Sequence, residues 1–183
     1  MRKLTVFNHV SLDGYIADAD GDMSWAHKSD PEWNKFAASN AKGGGELVFG
    51  RVTYDQMAGW WPTPQAMKAL PAVATQMNAL PKIVFSRSMT EATWENTQLI
   101  KSNPVAAMRR LKKKAGRDLV IFGSGSIVAL MTDARLIDAY DLVVNPIVLG
   151  SGKPLFDDVH KLPLKLRKTR SFNNGNVVLS YEL

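Results

Sequence analysis

The 183-residue chain contains no cysteine. That absence excludes disulfides, thiolate metal sites and cysteine nucleophiles, and a reducing, cytoplasmic setting is the plainest expectation. Histidine is scarce. His9, His27 and His160 lack metal-ligand spacing, so no metal is expected and none of the three is assigned chemistry. No apolar run approaches the ~18 residues that a membrane helix needs. Met1-Arg2-Lys3-Leu4 leads directly into a strand-like pattern, without the apolar stretch of a secretion signal. With no internal repeat and no low-complexity linker, residues 1–183 read as one domain around one core.

Acidic residues are outnumbered, 17 against 23 basic ones, for a net charge of +6. The excess gathers at Arg109–Arg117 and Lys161–Arg170. Such a balance suits an anionic partner. Neither cluster interleaves aromatics for base stacking, so nucleic acid is not the expected one. The first cluster lies on an amphipathic helix. Asn103 caps it, Pro104 fits its first turn, and Gly116 ends it. Val105, Met108, Leu111 and Ala115 form the apolar stripe, leaving the basic side chains to solvent.

Strand-like runs cover Lys3–Val10, Glu46–Phe49, Lys82–Ser86, Leu119–Phe122, Ala139–Leu149, Leu166–Phe172 and Asn176–Glu182. Val84-Phe85, Val120-Ile121-Phe122 and Val143-Val144 are continuously apolar, as in strands covered on both faces. Helical patterns fall between them at Pro31–Ala41, Arg51–Met57, Ala72–Leu80, Pro104–Ala115 and Ser126–Thr132. This alternation predicts βαβ units, and Asn173-Asn174-Gly175 predicts a closing hairpin turn. The expected fold is a three-layer α/β/α domain with a mixed, mostly parallel sheet and a C-terminal antiparallel hairpin. Gly43-Gly44-Gly45 reads as a helix-to-strand connection, since no Lys-Ser/Thr follows it. Gly59-Trp60-Trp61-Pro62-Thr63-Pro64 reads as a rigid loop whose tryptophans either line a pocket or cover the core.

Three strand ends share one chemistry. Gly50-Arg51-Val52-Thr53-Tyr54 follows the second strand, Ser86-Arg87-Ser88 the third, and Gly123-Ser124-Gly125-Ser126-Ile127 the fourth. Parallel strands deliver these loops to the carboxyl edge of the sheet, where open α/β sheets bind ligands. Glycines admit a phosphate close to the backbone, and a following helix offers free N–H groups and partial positive charge. Arg51 and Arg87 add planar forks suited to a phosphate monoester. Taken alone, Gly123-Ser124-Gly125 is an ordinary strand-to-helix turn, because Val128 stands where a Rossmann fingerprint has its third glycine.

The order of these motifs resembles the dihydrofolate-reductase-like family, above all the reductase domain of bifunctional riboflavin biosynthesis proteins. Ser11-Leu12-Asp13-Gly14-Tyr15-Ile16-Ala17 is similar to the opening signature of that branch, and Pro146-Ile147-Val148-Leu149-Gly150-Ser151-Gly152 to a later one. The resemblance implies NADPH as cofactor. It gives phosphates to Gly50, Arg51 and Thr53, the 2′-phosphate to Ser86 and Arg87, and the pyrophosphate to the turn Gly123, Ser124, Gly125, Ser126 and Ile127. It also implies a homodimer, and the apolar strand Val177–Tyr181 of the closing hairpin, expected at the sheet edge, would need a two-fold partner to cover it.

Met23-Ser24-Trp25, Asp30 and Trp33 are similar in spacing to dihydrofolate reductases, whose first-helix carboxylate holds the substrate ring. Trp25 and Asp30 are therefore substrate candidates, and Asp30 and Asp13 the catalytic ones. Each carboxylate has a plainer reading: Asp30 before Pro31 is a good helix cap, and Asp13 before Gly14 a good turn residue. The reaction implied is hydride transfer from NADPH to a C=N bond of a small nitrogen heterocycle or glycosylamine, as in 5-amino-6-(5-phosphoribosylamino)uracil reduction. Dihydrofolate reduction and non-catalytic nucleotide or nucleic-acid binding are the alternatives. A zinc deaminase domain of the Pro-Cys-x-x-Cys type is excluded by the missing cysteines.

Overall fold

The structure, a computed structural model, describes residues 1–28 and 30–183. Among the described residues, ten strands and six α-helices follow one another along the chain. Eight strands form the main sheet: β1 (Leu4–Ser11), β3 (Glu46–Gly50), β4 (Lys82–Phe85), β5 (Thr97–Ile100), β6 (Leu119–Phe122), β7 (Ala139–Asn145), β9 (Lys165–Ser171) and β10 (Val177–Glu182), in the order β5-β4-β3-β6-β1-β7-β10-β9. The first six run parallel, and the hairpin β9–β10 adds antiparallel to β7. Its turn is the expected one, with Gly175 at φ 87° and the Phe172 N–H donating to Asn176 O at 2.9 Å. Two short strands, β2 (Tyr15–Ala17) and β8 (Lys153–Pro154), pair separately.

Alternation along the strands assigns the two faces. Leu4, Val6, Val48, Ile83, Leu119 and Ile121 pack beneath α5 (Pro104–Lys113) and α6 (Gly125–Asp133). Leu47, Phe49 and Val84 face the opposite way, toward α2 (Arg51–Trp60), α3 (Pro64–Ala69) and α4 (Pro71–Ala79). On that same side Phe7, Val143 and Val178 meet Trp33 of α1 (Pro31–Gly43). Three layers result.

Several expectations change in detail. The strand expected to reach Leu149 stops at Asn145, because Pro146 has no N–H for the ladder and the Ile147 N–H turns back to Asn145 O at 2.8 Å. The stretch expected as a rigid loop is split between helices: α2 runs through Trp60, and Pro64 opens α3 with Thr63 as its cap (3.2 Å to the Ala66 N–H). Trp61 covers the core, whereas Trp60 is exposed. Helix α5 ends at Lys113, short of Gly116, and Lys112 is not on the solvated face. Its ammonium is buried between Leu136 O (2.6 Å) and Asp138 (2.5 Å). The strand Val177–Tyr181 does not form the edge of the sheet. It is flanked by β7 and β9, so its apolar side chains need no second copy to cover them.

Candidate active site

Two of the segments that carry the resemblance, residues 11–17 and 146–152, are stitched together. Gly14, at φ 90°, closes the turn after β1, and its N–H donates to Ser11 O at 3.0 Å. The Asp13 carboxylate accepts from Ser11 Oγ (2.6 Å), the Leu149 N–H (3.1 Å) and the Gly150 N–H (2.8 Å). These donors, the Ser11 hydroxyl above all, hold its pKa down to about 2. Asp13 is thus a permanent anion that clamps loop 146–150 over the β1–β2 turn. Gly152 completes the seam, since a Cβ there would lie 2.2 Å from Ala17 O.

Above the carboxyl ends of β1 and β6 lies a small cavity of about 80 Å³. Phe7, Asn8 and His9 form its floor with Phe122, Gly123 and Ser124; Ile16, Ala17, Gly21, Met23 and Lys153 form one wall, and Val52, Thr53, Gln56 and Met57 of α2 the other. Its surface is mostly apolar, as suits a flat ring, with few polar groups to orient it.

The first and third cofactor loops meet at one hydrogen bond, in which the Gly50 N–H donates to Ser124 Oγ at 2.7 Å. Ser124 sits in the left-handed region at φ 68°. The Gly123 N–H is held by Asn8 Oδ1 at 3.1 Å. Gly123, at φ 71°, lies so close to Thr53 that a Cβ would approach its Cγ2 to 2.6 Å. The N-termini of α2 and α6 are thereby locked side by side at the cavity rim. The first amides of a helix have no partner within it, so each terminus offers donors and partial positive charge to an anion. Ser126 is exposed there, whereas the Ile127 side chain belongs to the core and its N–H bonds Ser124 O at 2.9 Å. The named amides are committed inside the protein, so an anion at this rim would be held by the other first-turn amides of the two helices.

Arg51 is exposed at the head of α2, with a solvent-screened pair to Asp55 at 3.1 Å. Arg87 is exposed in the loop after β4, where Ser86 Oγ accepts from the Met89 N–H at 3.1 Å. Of the cofactor candidates, Thr53, Gly123 and Ser124 line the cavity; Gly50, Arg51, Ser86, Arg87, Gly125, Ser126 and Ile127 stand outside it.

The substrate candidates are more dispersed. Asp30 caps α1, its Oδ1 accepting from the Trp33 N–H at 2.9 Å, and does not line the cavity. Trp25 turns its indole N–H to Asp22 O at 3.1 Å and does not line it either. Met23 lines it instead. Sequence reasoning also missed His9 and Lys153, the ionisable residues of the lining. Lys153 carried no signal. For His9 there was one: a polar residue between Asn8 and Val10, near the carboxyl end of a strand otherwise read as core.

His9 packs edge-on against Phe7 and Trp33, with ring centroids at 6.3 and 5.4 Å. Burial lowers its pKa to about 4, so the ring is neutral at neutral pH. Among the described residues, no cluster of His, Cys, Asp and Glu could hold a metal ion, and no helix is long and apolar enough to cross a membrane.

A mostly parallel sheet with its ligand edge between β1, β3 and β6, closed by an antiparallel hairpin, defines a dihydrofolate-reductase-like fold. The chain belongs to the RibD C-terminal domain family, whose profile matches residues 2–179. It is similar to the uncharacterized protein YyaP of Bacillus subtilis (strain 168), at 29% identity over 98% of this chain and 94% of that one. A putative riboflavin biosynthesis protein from Shewanella sp. PV-4 has a similar structure: TM-score 0.77 and 26% identity, over 100% and 98% of the two chains. The fold is also that of a dihydrofolate reductase from Enterococcus faecalis complexed with NADP(H), with a TM-score of 0.67 at 17% identity over 98% and 95%.

Proposed function

We propose that the protein is an NADPH-dependent reductase that delivers hydride to a C=N bond of a small nitrogen heterocycle or glycosylamine. The reaction would be akin to 5-amino-6-(5-phosphoribosylamino)uracil reduction, and we place it in the cytoplasm. The observation that carries this reading is the Gly50–Ser124 bond, which sets two helix N-termini side by side at the rim of an apolar cavity. Family membership and the NADP(H) complex of the Enterococcus faecalis enzyme support the choice of cofactor.

NADPH, when bound, supplies the hydride. The protein's own part is to bind, orient and exclude water. The first turns of α2 and α6 would hold the pyrophosphate, with Thr53 beside it. Ser86 and Arg87, on the neighbouring strand end, would take the 2′-phosphate that distinguishes NADPH from NADH. Phe7, Phe122 and Met57 would press a flat ring against the nicotinamide. Neither Asp13 nor Asp30 reaches the cavity lining, so the proton needed at the substrate nitrogen is assigned to solvent water.

Titration calorimetry should find NADPH bound more tightly than NADH. Arg87→Ala should remove most of the preference, a loss of about ten- to a hundredfold, because a charge-assisted contact contributes roughly 1.5–3 kcal/mol. Equal affinity for both dinucleotides in the unaltered protein would sink the assignment.

A further inference from the structure

We infer that His9 reads the substrate ring: it presents a fixed N–H donor, Nε2, to a carbonyl oxygen of a planar heterocycle in the cavity. This rests on the cavity being the substrate site of the proposed reductase. The geometry begins one strand away. Asn145 ends β7 and is almost fully buried. Its Nδ2 lies 3.1 Å from Val10 O and 3.0 Å from Val143 O. Two carbonyl oxygens at that distance require an amide NH2 at this position rather than the amide oxygen. The same nitrogen lies 3.3 Å from His9 Nδ1. The two amide hydrogens serve the two carbonyls, so Nδ1 at most shares one of them; a protonated Nδ1 would instead point its N–H at a nitrogen that cannot accept it, which favours a bare Nδ1 and the ring proton on Nε2.

Nε2 has no hydrogen-bond partner among the described residues, nor is it a sealed-off polar atom. His9 lines the cavity, and with Nδ1 held at Asn145 the opposite ring nitrogen is the one left to a ligand. The packing of Phe7 and Trp33 against the imidazole restricts its rotation. The cavity floor therefore carries a rigid, uncharged donor among apolar walls. Such a donor discriminates strongly, because a ring without an acceptor leaves it unpaired in a dry site. The ligand class that satisfies it is a flat ring with a carbonyl oxygen along one edge.

The test uses the full-length protein with 15N-labelled histidine. At pH 7, NMR should show His9 as the Nε2–H tautomer. Uracil, a planar ring with carbonyl oxygens, should shift the Nε2 resonance; benzene, flat and apolar, should leave it in place. His9→Leu, which suits the apolar surroundings, should keep its thermal midpoint yet bind uracil about tenfold more weakly. Asn145→Leu should let the Nδ1–H tautomer appear. An Nδ1–H tautomer in the unaltered protein overturns the inference. So does uracil affinity unchanged in His9→Leu, or no response of His9 to uracil up to its solubility. NADPH titration in the same samples separates the two ideas: failure of NADPH to bind removes the reductase reading, whereas the uracil response of His9 is read without cofactor.

Discussion

At the scale of single residues, the structure puts His9 in the cavity lining and leaves Asp30 outside it. Asp30 is spaced like a substrate carboxylate, yet one of its oxygens is committed to the Trp33 amide and the residue stays out of the cavity lining. We expect Asp30→Asn to keep the cap, since the two residues rank alike there, and to leave turnover within about threefold of the parent. Asp30→Ala should lose roughly 1 kcal/mol of stability in urea denaturation while NADPH affinity holds. A fall in turnover of about a hundredfold in a well-folded Asp30→Asn would restore it as the substrate carboxylate. In the sequence His9 stands without metal-ligand spacing, the local signal that most often marks a functional histidine. What gives it a role is an amide 136 residues away, and nothing local encodes that partner.

At the scale of elements, the sequence showed the helices and strands wherever caps and long apolar runs agreed. Asn103 and Asp30 cap α5 and α1 as the capping pattern requires. Thr63-Pro64 is the same signal, obscured by Pro62 immediately before it. Strands β2 and β8 span three and two residues, too short for a period-two pattern, and β5 at the sheet edge is only half buried. The two loops framing the site were legible, but their junction was not. It depends on the Gly50 amide, which donates to Ser124 Oγ. Ser124→Ala should therefore lower stability by about 1–3 kcal/mol, because a buried N–H is left unpaired. Ser124→Gly should lose less, since glycine relieves the left-handed backbone at φ 68°. NADPH should bind more weakly to both. Urea denaturation that finds Ser124→Ala as stable as the parent would show that the junction is not held by this bond.

At the scale of the whole molecule, the sheet protects its own edge. All seven residues of β9 are exposed, and Lys165, Arg167, Lys168 and Arg170 give it a charged rim that discourages edge-to-edge pairing. The basic tail thus has a structural explanation that needs no nucleic acid. A homodimer remains our proposal, but on different ground: Leu12 and Val148, 68% and 65% exposed, extend from loops joined by the Leu12 N–H to Ile147 O bond. Light scattering at micromolar concentration should give twice the 20.2 kDa of one chain, and a value of 20.2 kDa would refute it. The central position of β1 has a consequence for how the protein is made. Its neighbours, β6 and β7, begin 115 and 135 residues after it does, so β1 leaves the ribosome long before either strand it pairs with. A nascent chain halted before Leu119 would have Phe7, Asn8 and His9 but no Gly123–Ser124 turn to set beside them. Folding of the core and completion of the cavity floor therefore await the same late segment of synthesis.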